Sequence, residues 1–172
     1  MATADHSEPT AIRAAGPQDV TLLLELFGEL AEYERLTHEL KATAAELSAA
    51  LFGERPVAEA LVAERGSQVA GYALFFPTFS SFLAREGLWL EDLFVRPPHR
   101  GAGVGSALLA AVARRVQERG GGRLEWTALH WNELALGFYE RLGAHTMGDW
   151  ITHRLDGPAL ALLAGTAAER PI

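Results

Sequence analysis

The spacing of apolar residues predicts a strand and two helices in the first part of the chain. A short strand is predicted from Thr10 to Ala14, and apolar residues then recur at every third or fourth position from Val20 to Ala31, which favours a helix. Thr43 and Glu46 have the spacing of a capping box, in which each side chain accepts from the other's backbone N–H. A second, short helix should therefore start beside Thr43.

The middle of the chain has the dense aliphatic and aromatic content of strands. Two segments, Glu59 to Glu64 and Gln68 to Phe76, flank a Gly-Ser turn and predict a β-hairpin, which Pro77 is expected to end before a loop from Thr78 to Arg85. Gly87 to Val95 is almost continuously apolar, as strands buried on both faces are. These segments predict the centre of a sheet.

Helical and strand-like patterns alternate in the remainder of the chain. Helical spacing extends from Val104 to Val116 and again from Leu134 to Leu142. Short strands are predicted at Leu124 to Ala128, Ala144 to Met147 and Ile151 to Leu155. The whole pattern predicts an α/β fold.

Composition narrows the class of protein. A chain of 172 residues with 49% hydrophobic residues can form one domain, predicted here for residues 10–164 between a disordered tail at 1–9 and a second tail at 165–172. A net charge of −7 argues against a nucleic-acid partner, and the absence of cysteine excludes disulfides and thiolate nucleophiles. The six histidines lack metal-ligand spacing, so no metal is expected. With neither a secretion-signal pattern nor a long apolar stretch, we expect no membrane partner and a cytoplasmic location.

A glycine-rich segment, His99 to Ser106, separates the predicted strand ending at Val95 from the helix starting at Val104. Backbone N–H groups and the positive end of the helix dipole converge at such a junction, and Arg100 adds a positive charge, so the segment suits a diphosphate. The same glycines are also typical of a tight turn that binds nothing.

The spacing of the glycines distinguishes between the known kinds of phosphate-binding loop. A nucleotide P-loop needs Gly-Lys-Ser/Thr, which this segment lacks. A dinucleotide loop would use Gly101 and Gly103, with Glu125 on a ribose, but the third glycine of that fingerprint is missing. The pattern Arg/Gln-x-x-Gly-x-Gly/Ala is matched in full by Arg100, Gly103 and Gly105.

With Arg100 to Ser106 and the segment Asn132 to Ala144, the chain resembles the GNAT superfamily of N-acetyltransferases. Glu29 to Glu34 and Trp89 to Val95 are similar to its diamine (spermidine/spermine) acetyltransferase branch, and the likeness covers about Ile12 to Leu155. The resemblance implies a single α/β domain with a mixed, strongly twisted sheet and helices on both faces. It also implies acetyl-CoA as cosubstrate, a small amine as acceptor and a homodimer.

The resemblance assigns the residues that bind acetyl-CoA to the glycine loop, the strand before it and a later helix. They are Leu93, Phe94, Val95, Arg100, Gly101, Ala102, Gly103, Val104, Gly105, Ser106, Asn132 and Tyr139. Tyr139 maps onto the tyrosine that protonates the coenzyme A thiolate, although tyrosine on an apolar helix face is also typical of a core. Asn132 suits orientation of the acceptor or the pantetheine, and equally suits a cap on the helix from Glu133.

Glu91 and Asp92 interrupt the apolar strand, where carboxylates are costly unless they are paired or functional. Strict alternation would send the two side chains to opposite faces, so that only one could face a given site. The resemblance favours Glu91 as the catalytic base, acting directly or through water. It leaves Asp92 a structural or substrate-binding role.

An acidic first helix suits a cationic acceptor, although such a face is most often simply solvated. The residues expected to bind the acceptor are Tyr33, Glu34, Phe82, Glu91, Asp92 and Asn132. Diamine enzymes carry Asp and Trp in the loop before the catalytic strand, where this chain has Ser80 and Phe82. That departure disfavours long polyamines and leaves short diamines, thialysine-like amino acids or another small primary amine.

The leading hypothesis is acetyl transfer to a primary amine by direct attack in a ternary complex. Three alternatives stay open. The first is an acetyl-CoA sensor without turnover, the second an N-acetyltransferase of a protein or antibiotic amine, and the third a dinucleotide-dependent oxidoreductase.

Overall fold

The computed structural model describes residues 8–166, which form two compact units. The first unit ends at Thr127 and the second begins at Ala128. Parts of the predicted tails, residues 1–7 and 167–172, lie outside the described residues, as does His6.

A five-stranded mixed sheet forms the centre of the first unit. The strands lie in sequence order, and they are β1 (Thr10–Ala14), β2 (Glu59–Arg65), β3 (Gln68–Ser80), β4 (Arg85–Val95) and β5 (Leu124–Glu125). Neighbours from β1 to β4 are antiparallel, whereas β4 and β5 are parallel. The predicted mixed sheet is confirmed, although β5 is shorter than the predicted strand Leu124 to Ala128.

Three helices cover the sheet of the first unit, namely α1 (Val20–Glu34), α2 (Ala44–Phe52) and α3 (Val104–Glu118). Apolar residues of α1 and α2 form one core cluster with Tyr72 and Phe94 of the sheet. Their neighbours Ala73 and Phe75 are also fully buried and point to the opposite face, which α3 covers. Helices on both faces are thus confirmed.

The hairpin of β3 and β4 is longer than predicted. Strand β3 continues past Pro77 to Ser80, so the predicted loop from Thr78 is mostly strand. Pro77 is paired with Leu88 of β4 but lies beyond Phe75, the last residue of β3 that pairs with β2. A proline is tolerated there because its missing N–H faces no further strand.

The second unit contains two helices, α4 (Glu133–Arg141) and α5 (Gly157–Thr166). The predicted strands Ala144 to Met147 and Ile151 to Leu155 are wrong, because the structure has no strand in these described segments. A short apolar run becomes a strand only when a neighbouring strand satisfies its backbone. Helix α5 was not predicted, since its sequence is apolar all round and shows no 3.6-residue period.

The entry to α1 is held by a carboxylate, Asp19, which is only 5% exposed. Both of its oxygens accept from the guanidinium of Arg13, at 2.6 and 2.8 Å, and it also accepts from the Gly16 N–H at 2.8 Å. The hydrogen bond from Arg13 is the main reason that the pKa of Asp19 lies below its ordinary value. The pair therefore stabilises the fold above about pH 4, and that contribution is lost as the pH falls through the lowered pKa.

We expect Asp19→Asn to lower the free energy of unfolding at pH 7 by about 2 kcal/mol, because it removes the buried charge that accepts two hydrogen bonds from the guanidinium of Arg13. Urea denaturation at pH 7 measures the loss. Glu64→Gln is a matched control, since Glu64 binds the same Arg13 at 2.8 Å but is more exposed, and we expect a loss below about 1 kcal/mol. Equal losses for the two variants would contradict the role of Asp19.

Candidate active site

The glycine loop joins β4 to α3 in the first unit, as predicted. Gly101 and Gly103 have φ angles of +78° and +81°, a conformation that residues with a side chain rarely adopt, and Gly103 is the N-cap of α3. A Cβ atom added at either glycine would meet nothing within 4 Å. The two glycines therefore leave open space over the loop and are not required there by internal packing.

The N-terminus of α3 fits an anionic group. No side chain caps the helix at Gly103, so its first N–H groups have no side-chain acceptor there. The helix itself is fixed, because Val104, Leu108 and Val112 are buried. An uncapped helix start beside open backbone suits the diphosphate of acetyl-CoA.

The dinucleotide alternative is not supported by the fold. A dinucleotide-binding domain is built on a parallel, doubly wound sheet, whereas four of these five strands are antiparallel. Glu125, the candidate ribose ligand, instead pairs with Arg123 at 2.6 Å.

The side chain of Arg100 points towards α1. Its Nε donates to the carbonyl of Val95 at 2.9 Å, and its guanidinium carbon lies 4.7 Å from the ring centre of Tyr33 and 5.9 Å from that of Phe94. Beside it is an open cleft of about 270 Å³, lined by Glu29, Glu32, Tyr33, Phe94, Pro97 and Arg100. Of the residues predicted to bind the acceptor, Tyr33 lines this cleft, and Arg100 at the start of the glycine loop lies opposite it.

An arginine holds α1 against the end of β4. Arg96 donates through Nε to both oxygens of Glu29 at 3.0 Å, and it also pairs with Glu25. These charge-assisted hydrogen bonds link α1 to the residue that follows β4. Tyr33 and Glu34 follow about one turn later, at the end of the same helix.

Strand β4 contains a β-bulge at Glu91. Leu74 lies opposite Asp92 and Phe75 lies opposite Leu90, so Glu91 is an extra residue without a partner on β3. The bulge shifts the alternation of side chains by one residue within β4.

The expectation that Glu91 and Asp92 point to opposite faces is wrong because of this bulge. Asp92 accepts from the hydroxyl of Tyr72 at 3.0 Å, and Glu91 accepts from the indole N–H of Trp89 at 2.9 Å. Tyr72 lies on the face covered by α1, and Trp89 is paired with Phe76, four residues further along β3 on that same face. Both carboxylates therefore lie on the face of the sheet that α1 covers.

Asp92 has an unusual electrostatic environment. Burial is the main reason that its pKa is raised to about 6, and the negative charges of Glu91 and Glu34 raise it further, while the bond from Tyr72 lowers it. Burial also raises the pKa of Glu34 above its ordinary value. The carboxylates of Glu34, Glu91 and Asp92 repel one another. They suit a cationic ligand, because a bound ammonium group would reduce this repulsion.

Phe82 and Ser80 lie at the tip of the β3–β4 hairpin. Phe82 is 92% exposed, and the buried hydroxyl of Ser80 accepts from the Leu83 N–H at 3.3 Å. Neither takes part in the hydrogen bonds of Asp92 and Glu91. Both residues thus lie at the hairpin tip, apart from the hydrogen-bonding partners of the two carboxylates.

Asn132 and Tyr139 lie on α4 in the second unit. The side-chain oxygen of Asn132 accepts from the Ala135 N–H at 3.2 Å, so it caps α4, the simpler of the two predicted roles. Tyr139 is half-buried, with its ring 5.3 Å from that of Phe138. Both predicted roles of Tyr139, core residue and acid, are compatible with this setting.

Two residues of the first unit were missed by the sequence analysis. Tyr72 and Trp89 bind the carboxylates of Asp92 and Glu91, yet both read as ordinary apolar strand positions. The one available signal was that a tyrosine hydroxyl buried in a strand needs an acceptor.

Residues 8–166 contain no group of histidines and carboxylates that could hold a metal ion. Within the same range, none of the helices is long and apolar enough to cross a bilayer.

Comparison with known proteins identifies the family. The description "Acetyltransferase (GNAT) family" matches residues 22–144, a range that crosses the boundary between the two units. A thialysine N-epsilon-acetyltransferase of Mus musculus is 35% identical over 91% of this chain and 98% of its own length. An L-ornithine N5-acetyltransferase of Arabidopsis thaliana is 33% identical over 90% of this chain and 88% of its own length.

A solved structure has a similar fold. An integron cassette protein from the mobile metagenome of V. cholerae has a TM-score of 0.75 and 26% identity, covering 90% of this chain and 97% of its own. The predicted resemblance to the diamine acetyltransferase branch is confirmed by the relatives. The chain belongs to the GNAT acetyltransferase family and is an N-acetyltransferase that uses acetyl-CoA as its acetyl donor.

Proposed function

We propose that this N-acetyltransferase acetylates a primary amine of a small cationic acceptor, by direct attack in a ternary complex. The observation that carries the proposal is the gathering of Glu34, Glu91 and Asp92 on one face of the sheet. Such a group attracts a substrate with more than one positive charge. Ornithine and thialysine, named in two relatives, are acceptors of this kind.

The glycine loop is the proposed binding site for the diphosphate of acetyl-CoA. Main-chain N–H groups from Arg100 to Ser106 would hold it, and the backbone of Leu93, Phe94 and Val95 would hold the pantetheine. When bound, acetyl-CoA supplies an acetyl group activated as a thioester. The supporting observations are the uncapped start of α3 and the open space over Gly101 and Gly103.

The chain's own residues move the protons of the reaction. The reacting amine attacks in its neutral form. As its nitrogen forms the new C–N bond and the C–S bond breaks, the proton leaving nitrogen passes to the carboxylate of Glu91, directly or through water. Glu91 is exposed to solvent, and the bond from Trp89 orients its carboxylate. Tyr139 is the proposed donor of the proton taken up by the leaving sulfur, a role that rests on its sequence motif.

The proposed acceptor is a short diamine or a diamino acid, with longer polyamines as poorer substrates. Glu34 at the end of α1 binds its second positive group, and Tyr33 and the ring of Phe82 are further proposed contacts; a contact with Asn132 rests on the sequence resemblance alone. Ser80 offers a hydroxyl that is already bonded within the hairpin turn, and it has no carboxylate for a distant ammonium. The homodimer and the cytoplasmic location remain predictions from the sequence.

The proposal is tested by the release of coenzyme A thiol with a panel of amines. The panel contains ornithine, thialysine, lysine, putrescine, spermidine and spermine, with norleucine as the control that lacks a side-chain amine. We expect the diamino acids and putrescine to be turned over fastest and norleucine not at all. The absence of cysteine keeps the thiol background low.

The kinetic pattern separates the mechanisms. Double-reciprocal plots that intersect support a ternary complex, whereas parallel lines would contradict it. If acetyl-CoA raises the melting temperature but no amine of the panel releases thiol, the small-amine proposal fails. A peptide with a free N-terminus and an aminoglycoside then test the remaining acceptor classes. If neither of them releases thiol, the protein would be an acetyl-CoA sensor without turnover.

A further inference from the structure

Tyr72 is a buried polar residue that the proposed reaction does not use. Its side chain is fully buried on the face of the sheet covered by α1 and α2. The rings of Phe27 and Phe94 lie 5.1 and 6.3 Å from its own, measured between centroids. Its hydroxyl nevertheless points to one polar atom, Oδ2 of Asp92, at 3.0 Å.

The surrounding core leaves this phenol little freedom to turn. Burial and the charge of Asp92 raise the pKa of Tyr72 above its ordinary value, so the group stays a protonated donor. A donor held rigidly by apolar packing defines the position of the acceptor that it binds. The hydroxyl of Tyr72, on β3, therefore fixes the orientation of the Asp92 carboxylate.

Three ionisable groups from three elements act on Asp92. Glu91 belongs to β4, Glu34 comes from α1, and Tyr72 comes from β3. The two carboxylates repel the charge of Asp92, and Tyr72 is the one of the three that favours it. The hydrogen bond from Tyr72 thus supports a charged Asp92 in an otherwise unfavourable place.

We propose that Tyr72 is a positioning residue, which holds the carboxylate of Asp92 charged and oriented to bind the ammonium group of the acceptor. This inference rests on the proposed function, because it requires a cationic acceptor. It explains why a phenol is buried among aromatic side chains, and why the bulge turns Asp92 towards it. It also makes Asp92, together with Glu34, the main attractor of the acceptor's positive charge.

The test is Tyr72→Phe, which removes the hydroxyl and keeps the ring. The bond from Tyr72 lowers the pKa of Asp92, so its loss should raise that pKa and move the acid limb of the kcat/KM profile upward by about one pH unit. At pH 7 this shift alone would lower kcat/KM for the best amine by about twofold, and the lost orientation of the carboxylate should lower it further, mainly through KM, with an unchanged Kd for acetyl-CoA. The carboxyl carbon of Asp92, followed by NMR titration, should show the same upward shift without any turnover.

Phe75→Leu is the matched structural control. Phe75 is also fully buried on β3 but lies on the opposite face, so this variant should lower the melting temperature without moving the acid limb. In an Asp92→Asn background, Tyr72→Phe should have no further effect on the pH profile. An unshifted acid limb together with an unshifted NMR midpoint would overturn the inference. If the wild type acetylates no amine, the proposed function fails, and an unshifted NMR midpoint then also removes the positioning role.

Discussion

Replacing Gly103 with leucine should weaken acetyl-CoA binding by about 100-fold or more, the largest single effect that we expect. Each hydrogen bond from a main-chain N–H to a charged oxygen contributes about 1.5–3 kcal/mol, so the loss of two accounts for a change of this size. The space over Gly103 is open, so the leucine side chain would lie where the diphosphate is proposed to approach. Isothermal titration with acetyl-CoA measures the effect.

Gly120→Leu provides a control for backbone strain. Gly120 lies just beyond the other end of α3, has φ +67°, and likewise has nothing within 4 Å of an added Cβ. Both variants carry the cost of a side chain at positive φ, about 1–2 kcal/mol, and should lose similar stability. If Gly120→Leu weakened acetyl-CoA binding as much as Gly103→Leu, the effect would come from strain, and the assignment of the loop would fail.

Local signals in the sequence predicted most elements of the first unit. The capping box is present, with Thr43 accepting from the Glu46 N–H at 3.3 Å and Glu46 accepting from the Thr43 N–H at 3.0 Å. Helix α1 begins at Val20, where the apolar period starts. Caps and periodicity are properties of a few neighbouring residues, and for that reason they can be read directly from the sequence.

The predictions from sequence were wrong where the structure of a segment depends on pairing with a strand elsewhere in the chain. Pro77 did not end its strand, because no strand pairs with β3 on that side at this point. The segments around Met147 and Ile151 did not become strands, because apolar residues alone do not supply hydrogen-bonding neighbours. Whether a neighbouring strand is present cannot be read from the sequence of the segment itself.

The bulge in β4 is the most consequential feature that the sequence conceals. Alternation applied to Glu91 and Asp92 separates them, whereas one unpaired residue places both on the same face. A bulge is a property of the register between two strands, and the sequence of β4 alone does not show it. Without the bulge, Asp92 would point to the other face of the sheet, away from the Tyr72 hydroxyl that now donates to it.

The neighbouring carboxylates of Glu34, Glu91 and Asp92 lower the stability of the fold, and their proposed role in binding a cation explains why they are there. A carboxylate whose pKa is raised to about 6 opposes folding as the pH rises through that value, because the charged form is favoured in the unfolded chain. Two further carboxylates nearby add to the repulsion. Proteins retain such unfavourable groups mainly at sites where a ligand uses them, and a cationic acceptor would offset the cost when it binds.

Tyr139→Phe should lower kcat by about 100-fold if Tyr139 protonates the leaving sulfur, since a positioned acid contributes about 10²–10⁴-fold. The ring and its contact with Phe138 are kept, so the melting temperature and the Kd for acetyl-CoA should stay close to those of the wild type. Single-turnover measurements with the best amine show whether acetyl transfer itself is slowed.

Glu140→Gln is the control on the same helix, because Glu140 is exposed and has no proposed role in the reaction. It should retain wild-type turnover. A Tyr139→Phe variant that keeps full single-turnover activity would show that Tyr139 is a packing residue of α4, and that solvent protonates the sulfur. A loss of activity that instead follows a lowered melting temperature would also remove the acid role, because packing would then account for the whole effect.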